Sequence, residues 1–360
     1  MSALDFSTVR SIVVFRALML GDWLCATPAL RALKAAAPRA RLTLCGLPWT
    51  QALAARLPMV DDFLAFPGHP ALPERVPDAG SVEAFFERAR ASRFDLALQM
   101  HGSGNIVNDI VAAMGAAMTA GFATPGTEQG FDIACPWPEQ GHEIDRCLRL
   151  ATALGAPDVG RDIDFPLTDA DRAEAALLLA SAGIVGRFVI VHPGAQLPSR
   201  RWVPARFSAV ADALAAHGLQ VVITGSPDEA GLARAVRAAM RTPAVDLCGR
   251  TPGVWTLGAL VERATLVVSN DTGVSHVAAA LRTPSAVVAS GSDVARWAPL
   301  DRARHRVHWH ALPCRPCAHA TCPTAHECAD AIAPDAVIDT ALALLETCHP
   351  CPTTLADSVS

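Results

Sequence analysis

The chain has 360 residues, of which 51% are hydrophobic, and a formal net charge of −5. This length suits two domains with separate cores, and a negative charge without any basic run argues against a nucleic-acid-binding protein. Arg16 interrupts the first apolar stretch and no window of about 18 residues is apolar enough to span a bilayer, so we expect neither a signal peptide nor a transmembrane segment, and a cytoplasmic protein.

The first half of the chain alternates short apolar strands with helical stretches. Strands are predicted over residues 11–15, 41–46, 62–66, 94–100 and 121–123. Helices are predicted over residues 23–37, 50–57, 82–91, 105–118 and 143–154. Residues 155–168 contain two prolines and two glycines and form the predicted linker, which gives domains over residues 1–165 and 166–360.

The second half repeats this alternation. Strands are predicted within the apolar runs 188–195, 221–226, 266–270 and 285–291, each of which ends in small or polar residues. Continuous runs of Val and Ile separated by helices indicate a doubly wound parallel α/β sheet, whose ligands lie beyond the carboxyl ends of the strands. We therefore expect the turns after these strands to converge on a ligand.

The most informative turn follows the strand that begins at Leu266. Asp271, Thr272 and Gly273 stand where this strand gives way to a helix, whose unpaired backbone N–H groups favour phosphate or diphosphate. His276 falls in the first helical turn, within reach of the same anion. The alternative is that Asp271 only caps the helix and that His276 is a buried neutral histidine.

Three motifs stand in order along the chain. They are residues 14–34 (VFRALMLGDWLCATPALRALK), residues 192–195 (HPGA) followed by 200–202 (RRW), and residues 271–276 (DTGVSH). Over nearly its whole length the chain resembles glycosyltransferase family 9, the ADP-heptose:lipopolysaccharide heptosyltransferases. The resemblance implies a GT-B fold, in which two Rossmann-like doubly wound α/β domains face each other across a cleft. It also implies that the N-terminal domain binds the acceptor and the C-terminal domain binds the nucleotide sugar.

Asp22 follows Gly21 in the predicted turn after the first strand, where the family has its catalytic aspartate. The resemblance implies that its carboxylate is the general base of an inverting transfer and takes the proton from the acceptor hydroxyl. Such proton transfer contributes roughly 10²–10⁴ in rate. The alternative is an N-cap for the helix predicted from Trp23, because Asp is a favoured cap.

A departing nucleoside diphosphate needs positive charge and hydrogen-bond donors. Arg200 stands where the family has a lysine, and the sequence leaves open whether Arg200 or Arg201 faces the diphosphate. Glu229 either accepts hydrogen bonds from ribose hydroxyls or is a solvated helix carboxylate. The predicted donor site comprises Gly194, Arg200, Glu229, Asp271, Thr272, Gly273 and His276.

Acceptor-side candidates follow the strand predicted over residues 94–100. Gln99, His101 and Asn105 lie at its carboxyl end, a place suited to sugar hydroxyls. His101 is equally well explained as a turn histidine.

Four of the eleven cysteines form a compact C-x2-C-x4-C-x5-C cluster, namely Cys314, Cys317, Cys322 and Cys328. In a cytoplasmic protein this spacing suggests a structural zinc site, with reduced thiols and disulfides as the alternatives. Cys348 and Cys351 add another C-x2-C pair. None of these cysteines is predicted to be a nucleophile.

These motifs predict an inverting glycosyltransferase that needs no metal for catalysis. Its expected reaction moves heptose from ADP-heptose to a lipopolysaccharide core acceptor at the surface of the inner membrane. The alternatives are a transferase of the same family that uses another nucleotide sugar, a GT-B-shaped sugar-nucleotide epimerase, and a non-catalytic nucleotide-binding module.

Overall fold

The chain forms two compact units, Met1–Pro166 and Leu167–Ser360, which we call the N-terminal and C-terminal units. The computed structural model describes residues 4–124, 126, 131–317 and 319–348. Each unit contains one six-stranded sheet in which every strand pair is parallel. The predicted α/β class is therefore confirmed, and its cause is the continuous Val- and Ile-rich runs that both faces of a parallel sheet bury.

The strands of the N-terminal unit are β1 Ser11–Phe15, β2 Arg41–Gly46, β3 Asp62–Ala65, β4 Leu96–Gln99, β5 Met118–Ala123 and β6 Ile133–Pro136. Its α-helices are α1 Leu20–Leu24, α2 Thr27–Ala36, α3 Gln51–Ala54, α4 Ser81–Ala91, α5 Ile106–Ala112 and α6 Glu143–Ala153. The sheet order is β3-β2-β1-β4-β5-β6. The strand order reverses between β1 and β4, so the turns after these two strands lie side by side at a position where open α/β sheets bind ligands.

Two helix predictions in this unit are wrong. The single helix expected over residues 23–37 is two helices, α1 and α2, because Pro28 has no N–H with which to continue the first helix and instead occupies the first turn of the second. The helix expected over residues 105–118 ends at Ala112. Gly115, with a φ of 71°, takes the left-handed conformation that commonly follows a helix end, and β5 then begins at Met118.

The strands of the C-terminal unit are β7 Phe188–His192, β8 Gln220–Ile223, β9 Ala244–Asp246, β10 Leu266–Asn270, β11 Ser285–Val288 and β12 His305–His308. Its α-helices are α7 Asp169–Ser181, α8 Pro204–Ala216, α9 Ala230–Ala239, α10 Val254–Arg263, α11 Gly273–Ala280, α12 Val294–Trp297, α13 Glu327–Asp330 and α14 Pro334–Cys348. The order β12-β11-β10-β7-β8-β9 places the reversal between β7 and β10. Their turns carry the second and third sequence motifs, so this topology brings the two motifs together.

The predicted strands omitted β9 and β12, which are the two edges of this sheet. Edge strands are short and less apolar, and β12 reads His-Arg-Val-His, so the apolar runs used for prediction do not reveal them. Across the described ranges of the chain, no helix combines the length and the hydropathy needed to cross a membrane.

Candidate active site

The turn after β1 is built around a buried arginine. Arg16 is 1% exposed, and its Nε donates a hydrogen bond to the backbone oxygen of Asp22 at 2.7 Å. Its Nη1 donates to the backbone oxygen of Met100, directly after β4, and its Nη2 donates to Oε1 of Glu143 at 2.9 Å. One guanidinium thus joins the segment that carries Asp22 to the end of β4 and to α6.

Asp22 is the third residue of α1, whose N-cap is Met19. The alternative that Asp22 is an N-cap is therefore wrong. A carboxylate in the first turn of a helix lies near the positive end of the helix dipole, which favours its ionised form. The predicted base is thus placed at the carboxyl edge of the sheet, where the strand order reverses.

The ion pair between Arg16 and Glu143 is almost completely buried, with side-chain exposures of 1% and 3%. Arg146 lies 3.5 Å from the other carboxylate oxygen of Glu143, so two arginines share this acid. Burial alone would lower the pKa of Arg16, but the nearby Cys147, Glu143 and Asp22 raise it above its usual range. Arg16 therefore carries a permanent positive charge beside the Asp22 turn.

The turn after β4 contains the acceptor-side candidates. Gln99 is fully buried, and its amide nitrogen donates to the backbone oxygens of His101 and Gly102 at 3.2 and 3.1 Å. His101 Nδ1 accepts the Ala17 N–H at 3.2 Å. Asn105 is exposed and has a φ of 58°. The side chains of Gln99 and His101 therefore hold backbone in place, and Asn105 lies at the surface.

The other ring nitrogen of His101 carries the proton, because Nδ1 is an acceptor. This Nε2 lies 3.4 Å from Oε1 of Glu74, a residue of the connection between β3 and α4. Burial would raise the pKa of Glu74, but hydrogen bonding to His101 and to its own backbone N–H lowers it overall. His101 thus links the start of the Asp22 turn to a second loop of the same unit.

In the C-terminal unit, the turn after β10 leads directly into α11. Thr272 is the N-cap, Gly273 is the first helical residue, and His276 is 4% exposed. Asp271 is not the N-cap, so the expectation that it caps the helix is wrong, and its Oδ2 instead accepts a hydrogen bond from Ser292 Oγ. The helix start is therefore held from the neighbouring turn after β11.

The segment after β7 reaches this turn through Asn270, the last residue of β10. Its Oδ1 accepts the Trp202 N–H at 3.0 Å, and its Nδ2 donates to the backbone oxygens of Pro193 and Gly194 at 2.8 and 3.3 Å. Asn270 is fully buried. One carboxamide thus fixes both ends of the segment that contains Arg200 against the start of α11.

The two adjacent arginines of this segment differ in their contacts. Arg201 donates from Nε to the backbone oxygen of Ala195 at 2.8 Å. The Nε of Arg200 is buried and has no hydrogen-bond acceptor among the described residues. Nε of Arg201 is thus committed to the backbone, whereas Nε of Arg200 is not.

Glu229 lies against Gly194. A Cβ on Gly194 would come within 2.1 Å of Oε1 of Glu229, so this position accepts only glycine without displacing the carboxylate. The Ser226 N–H donates to Oε2 of Glu229 at 2.8 Å, and His192 Nε2 lies 4.0 Å from the same oxygen. Burial lowers the pKa of His192, which keeps this histidine neutral near pH 7.

The predicted cysteine cluster lies in the segment before α14. Its four cysteines line one small pocket of about 40 Å³, together with His319 and His326. The nine described cysteines are all free, and the part of the chain that the structure describes contains no group of three His, Cys, Asp or Glu side chains placed to hold a metal ion. Cys351 and the side chain of Cys348 lie outside the described residues.

Residues 312–317 and 319–328, which we call the Cys-rich loop, contact the segment after β7 and the turn after β11. Arg315 donates from Nη1 to the backbone oxygen of Ala289 and from Nη2 to that of Ser292, each at 2.7 Å. Ser199 donates from Oγ to the backbone oxygen of His319 at 2.6 Å and from its N–H to that of Ala320 at 3.1 Å. The loop therefore fixes the backbone next to Arg200 and beyond β11.

Sequence reasoning missed four residues that shape these turns: Arg16, Glu143, Asn270 and Arg315. Two of them carried a readable signal. Arg16 and Asn270 are polar residues that directly end or follow buried apolar strands, which is where the ligand-facing turns of a parallel sheet begin. Glu143 and Arg315 reach the site from distant segments and leave no local pattern.

Comparison with known families decides the assignment. The profile of glycosyltransferase family 9 (heptosyltransferase) matches residues 82–327, more than half of the chain. The chain belongs to glycosyltransferase family 9. Family 9 relatives include lipopolysaccharide heptosyltransferase 2 of Salmonella typhimurium, 25% identical over 293 residues that cover 76% of this chain and 80% of the relative.

Lipopolysaccharide heptosyltransferase 3 of Escherichia coli is 30% identical over 161 residues, which cover 44% of this chain. The match spans 47% of that relative, slightly less than half of its length.

Solved structures of this family share the fold. A family 9 glycosyl transferase from Veillonella parvula has a TM-score of 0.80 at 20% identity, covering 95% of this chain and 99% of that one. E. coli ADP-heptose lps heptosyltransferase II has a TM-score of 0.72, also at 20% identity, covering 93% and 98%. These likenesses confirm the predicted GT-B fold class.

Proposed function

We propose that the chain transfers heptose from ADP-heptose to a lipopolysaccharide core acceptor with inversion at the anomeric carbon. Relatives named lipopolysaccharide heptosyltransferases support the sugar and the acceptor class. The E. coli heptosyltransferase WaaC, which shares the fold with a TM-score of 0.63, has been solved with ADP and with ADP-2-deoxy-2-fluoro heptose. An acceptor of this kind is presented at the inner-membrane surface.

The observation that carries the proposal is the Asn270 bridge between the two donor-side turns. The bridge holds the segment of Arg200 beside the start of α11. A helix N-terminus with an adjacent guanidinium supplies both N–H donors and positive charge to a diphosphate. Gly273 at the first helical position has no side chain to keep phosphate oxygens away from the backbone.

Asp22 is the proposed general base. The acceptor hydroxyl oxygen forms a bond to the anomeric carbon of heptose, its proton passes to the Asp22 carboxylate, and the bond from the anomeric carbon to the diphosphate oxygen breaks as ADP leaves. Attack opposite the leaving group inverts the configuration. The negative charge that develops on ADP is stabilised by Arg200 and by the N-terminus of α11.

The reaction is proposed to need no divalent metal, because these groups supply the positive charge. Activity should survive exhaustive chelation, whereas loss in chelator with recovery on adding magnesium or manganese would contradict the proposal.

A structural metal in the Cys-rich loop stays a separate prediction. Metal analysis of the purified protein tests it, and a bound zinc would stabilise the fold without taking part in the transfer.

One screen tests the proposed donor. Nucleoside diphosphates and nucleotide sugars are compared by thermal shift, since a ligand at 100 times its dissociation constant adds about 2.7 kcal/mol to the free energy of unfolding. ADP and ADP-heptose should stabilise the protein most. Donor consumption is then measured with and without a heptose-deficient lipopolysaccharide core. Stronger stabilisation by a nucleotide with another nucleobase would favour a transferase that uses another nucleotide sugar. Turnover without acceptor would favour the epimerase, and nucleotide binding without turnover would favour the binding module.

A further inference from the structure

We infer that Arg16, anchored by Glu143, is a positioning residue for Asp22 and fixes the turn from which the proposed base acts. This inference rests on the proposed role of Asp22. It assigns Arg16 a part in the transfer although its guanidinium is buried and bonded on all sides by the protein.

The contacts of Arg16 are arranged for holding one turn. Its own N–H donates to the backbone oxygen of Cys45 at 2.8 Å, which fixes the residue at the end of β1. From there Nε donates to the Asp22 backbone oxygen, and Nη1 donates to the Met100 oxygen after β4. Because Nε bonds the main chain of Asp22, Arg16 sets the position of this residue in the turn.

Glu143 explains how this arginine is tolerated. A charged side chain that is 1% exposed needs a partner, and Oε1 of Glu143 at 2.9 Å provides it from the first residue of α6. Arg146 contacts the other oxygen of the carboxylate. Glu143 is thus held between two arginines, and its bond to Nη2 restrains the orientation of the Arg16 guanidinium.

The charge of Arg16 also bears on the state of the base. A general base must be ionised, and a positive charge nearby favours the ionised form of a carboxylic acid. The titratable groups that interact with Arg16 come from two elements. Asp22 lies in α1 and Cys25 directly follows it, and Glu143 and Cys147 lie in α6. Burial raises the pKa of Cys25 well above its usual value, so this thiol stays neutral and adds no competing charge.

Three variants separate geometry from charge. Arg16→Lys keeps the charge but cannot form the forked set of hydrogen bonds. Arg16→Met removes the charge at similar length, and Glu143→Gln keeps the shape of the anchor while removing its charge. Arg31→Met is the matched control, because it breaks an arginine–carboxylate pair with Asp164 in the same unit without touching the turn.

Turnover is measured as ADP release at saturating ADP-heptose and core acceptor, and ADP affinity is measured by calorimetry. Arg16→Lys should lower kcat by about 10²-fold, as expected for a misplaced catalytic group, with ADP affinity unchanged. Arg16→Met should also move the acidic limb of the pH profile of kcat/KM to higher pH, because it removes a positive charge near the proposed base. Glu143→Gln should lower kcat without moving that limb upward, and it remains informative if Arg16→Met does not fold.

The Asp22→Asn background distinguishes the two levels of the proposal. If Arg16 acts through Asp22, adding Arg16→Lys to Asp22→Asn should cause no further loss of turnover. Near-normal turnover of Asp22→Asn alone would show that Asp22 is not the general base. The inferred role of Arg16 would then be wrong as well. If Asp22→Asn is inactive but folded Arg16→Lys and Glu143→Gln match Arg31→Met, the base assignment stands and the role of Arg16 is overturned.

Discussion

The Oδ1 atom of Asn270 accepts a hydrogen bond from the Trp202 N–H at 3.0 Å, and this bond ties the last residue of β10 to the end of the segment that follows β7. The opposite side of the same carboxamide donates to the Pro193 carbonyl. One buried side chain thus joins two sequence motifs through residues that are 68 positions apart in the chain.

Asn270→Asp should therefore weaken ADP binding in protein that remains folded. The substitution keeps an acceptor for Trp202 but replaces the donor to Pro193 and Gly194 with an oxygen that repels their carbonyls. Leaving buried polar groups unsatisfied costs about 1–3 kcal/mol. Calorimetry with ADP should show at least a tenfold rise in Kd. Normal affinity in a folded variant would mean that the bridge does not shape the donor site.

Asp22→Asn should lower turnover by about 10²-fold or more and leave ADP affinity nearly unchanged, because the carboxamide cannot take the proton from the acceptor hydroxyl. Turnover at saturating donor and calorimetry with ADP check the two parts of this expectation. A variant with near-normal turnover would rule out Asp22 as the base.

Arg200→Ala should lower turnover by about 10²–10³-fold, because a contact to the leaving diphosphate strengthens as ADP gains charge. Some donor affinity should also be lost, since the bound diphosphate is already anionic. Arg201→Ala is the control, because its Nε already donates to Ala195. A large turnover defect in Arg201→Ala with normal Arg200→Ala would show that the register is shifted by one residue.

Gly194→Ala should reduce nucleotide affinity while the protein stays folded. The new Cβ would meet the end of the flexible Glu229 side chain, which can move but would then leave its place beside His192. Gly253→Ala is a matched control, since a Cβ there meets nothing within 4 Å. In a Glu229→Ala background the effect of Gly194→Ala on ADP affinity should disappear. Equal losses in both backgrounds would show that the displaced carboxylate is not the cause.

His305 should make the protein less stable as the pH falls. Burial lowers the pKa of His305 to about 4, and Ser285 Oγ lies 2.8 Å from its Nδ1. The folded state therefore favours the neutral ring. This contribution is complete above pH 6.5, is lost as the pH falls from there toward 4, and amounts to about 3 kcal/mol. Denaturant unfolding of wild type and His305→Asn should show a smaller loss between these pH values in the variant. Parallel curves would contradict the assignment.

The sheets could be predicted because their central strands are unbroken apolar runs. In β1 the four residues from Ile12 to Phe15 are fully buried, and their Val- and Ile-rich sequence has no other good explanation in a chain of this length. The two-helix structure of residues 20–36 was readable from Pro28, but the apolar spacing across it suggested one continuous helix. The prediction gave more weight to the apolar spacing than to Pro28, and it was wrong for this reason.

The site was predictable only as far as its residues lie within motifs. Asp22, Arg200 and His276 stand in short segments that sequence reasoning can read. The Asn270 bridge forms because β7 and β10 are neighbouring strands. The contact between Asp271 and Ser292 forms because β10 and β11 are neighbouring strands. Strand order is a property of the whole unit, so these partners could not be inferred from the turn itself.

The contacts of the Cys-rich loop with the segment after β7 and with the turn after β11 are all made to main-chain oxygens. Arg315 of the loop donates to carbonyl groups after β11, and Ser199 of the segment after β7 donates to a carbonyl group of the loop. Every amino acid possesses a carbonyl group, and the side chains at positions 289, 290 and 292 take no part in the contacts made by Arg315. Substitutions in the turn after β11 can therefore accumulate without releasing the loop. The path of the backbone in this turn is thus maintained independently of the side chains displayed on it.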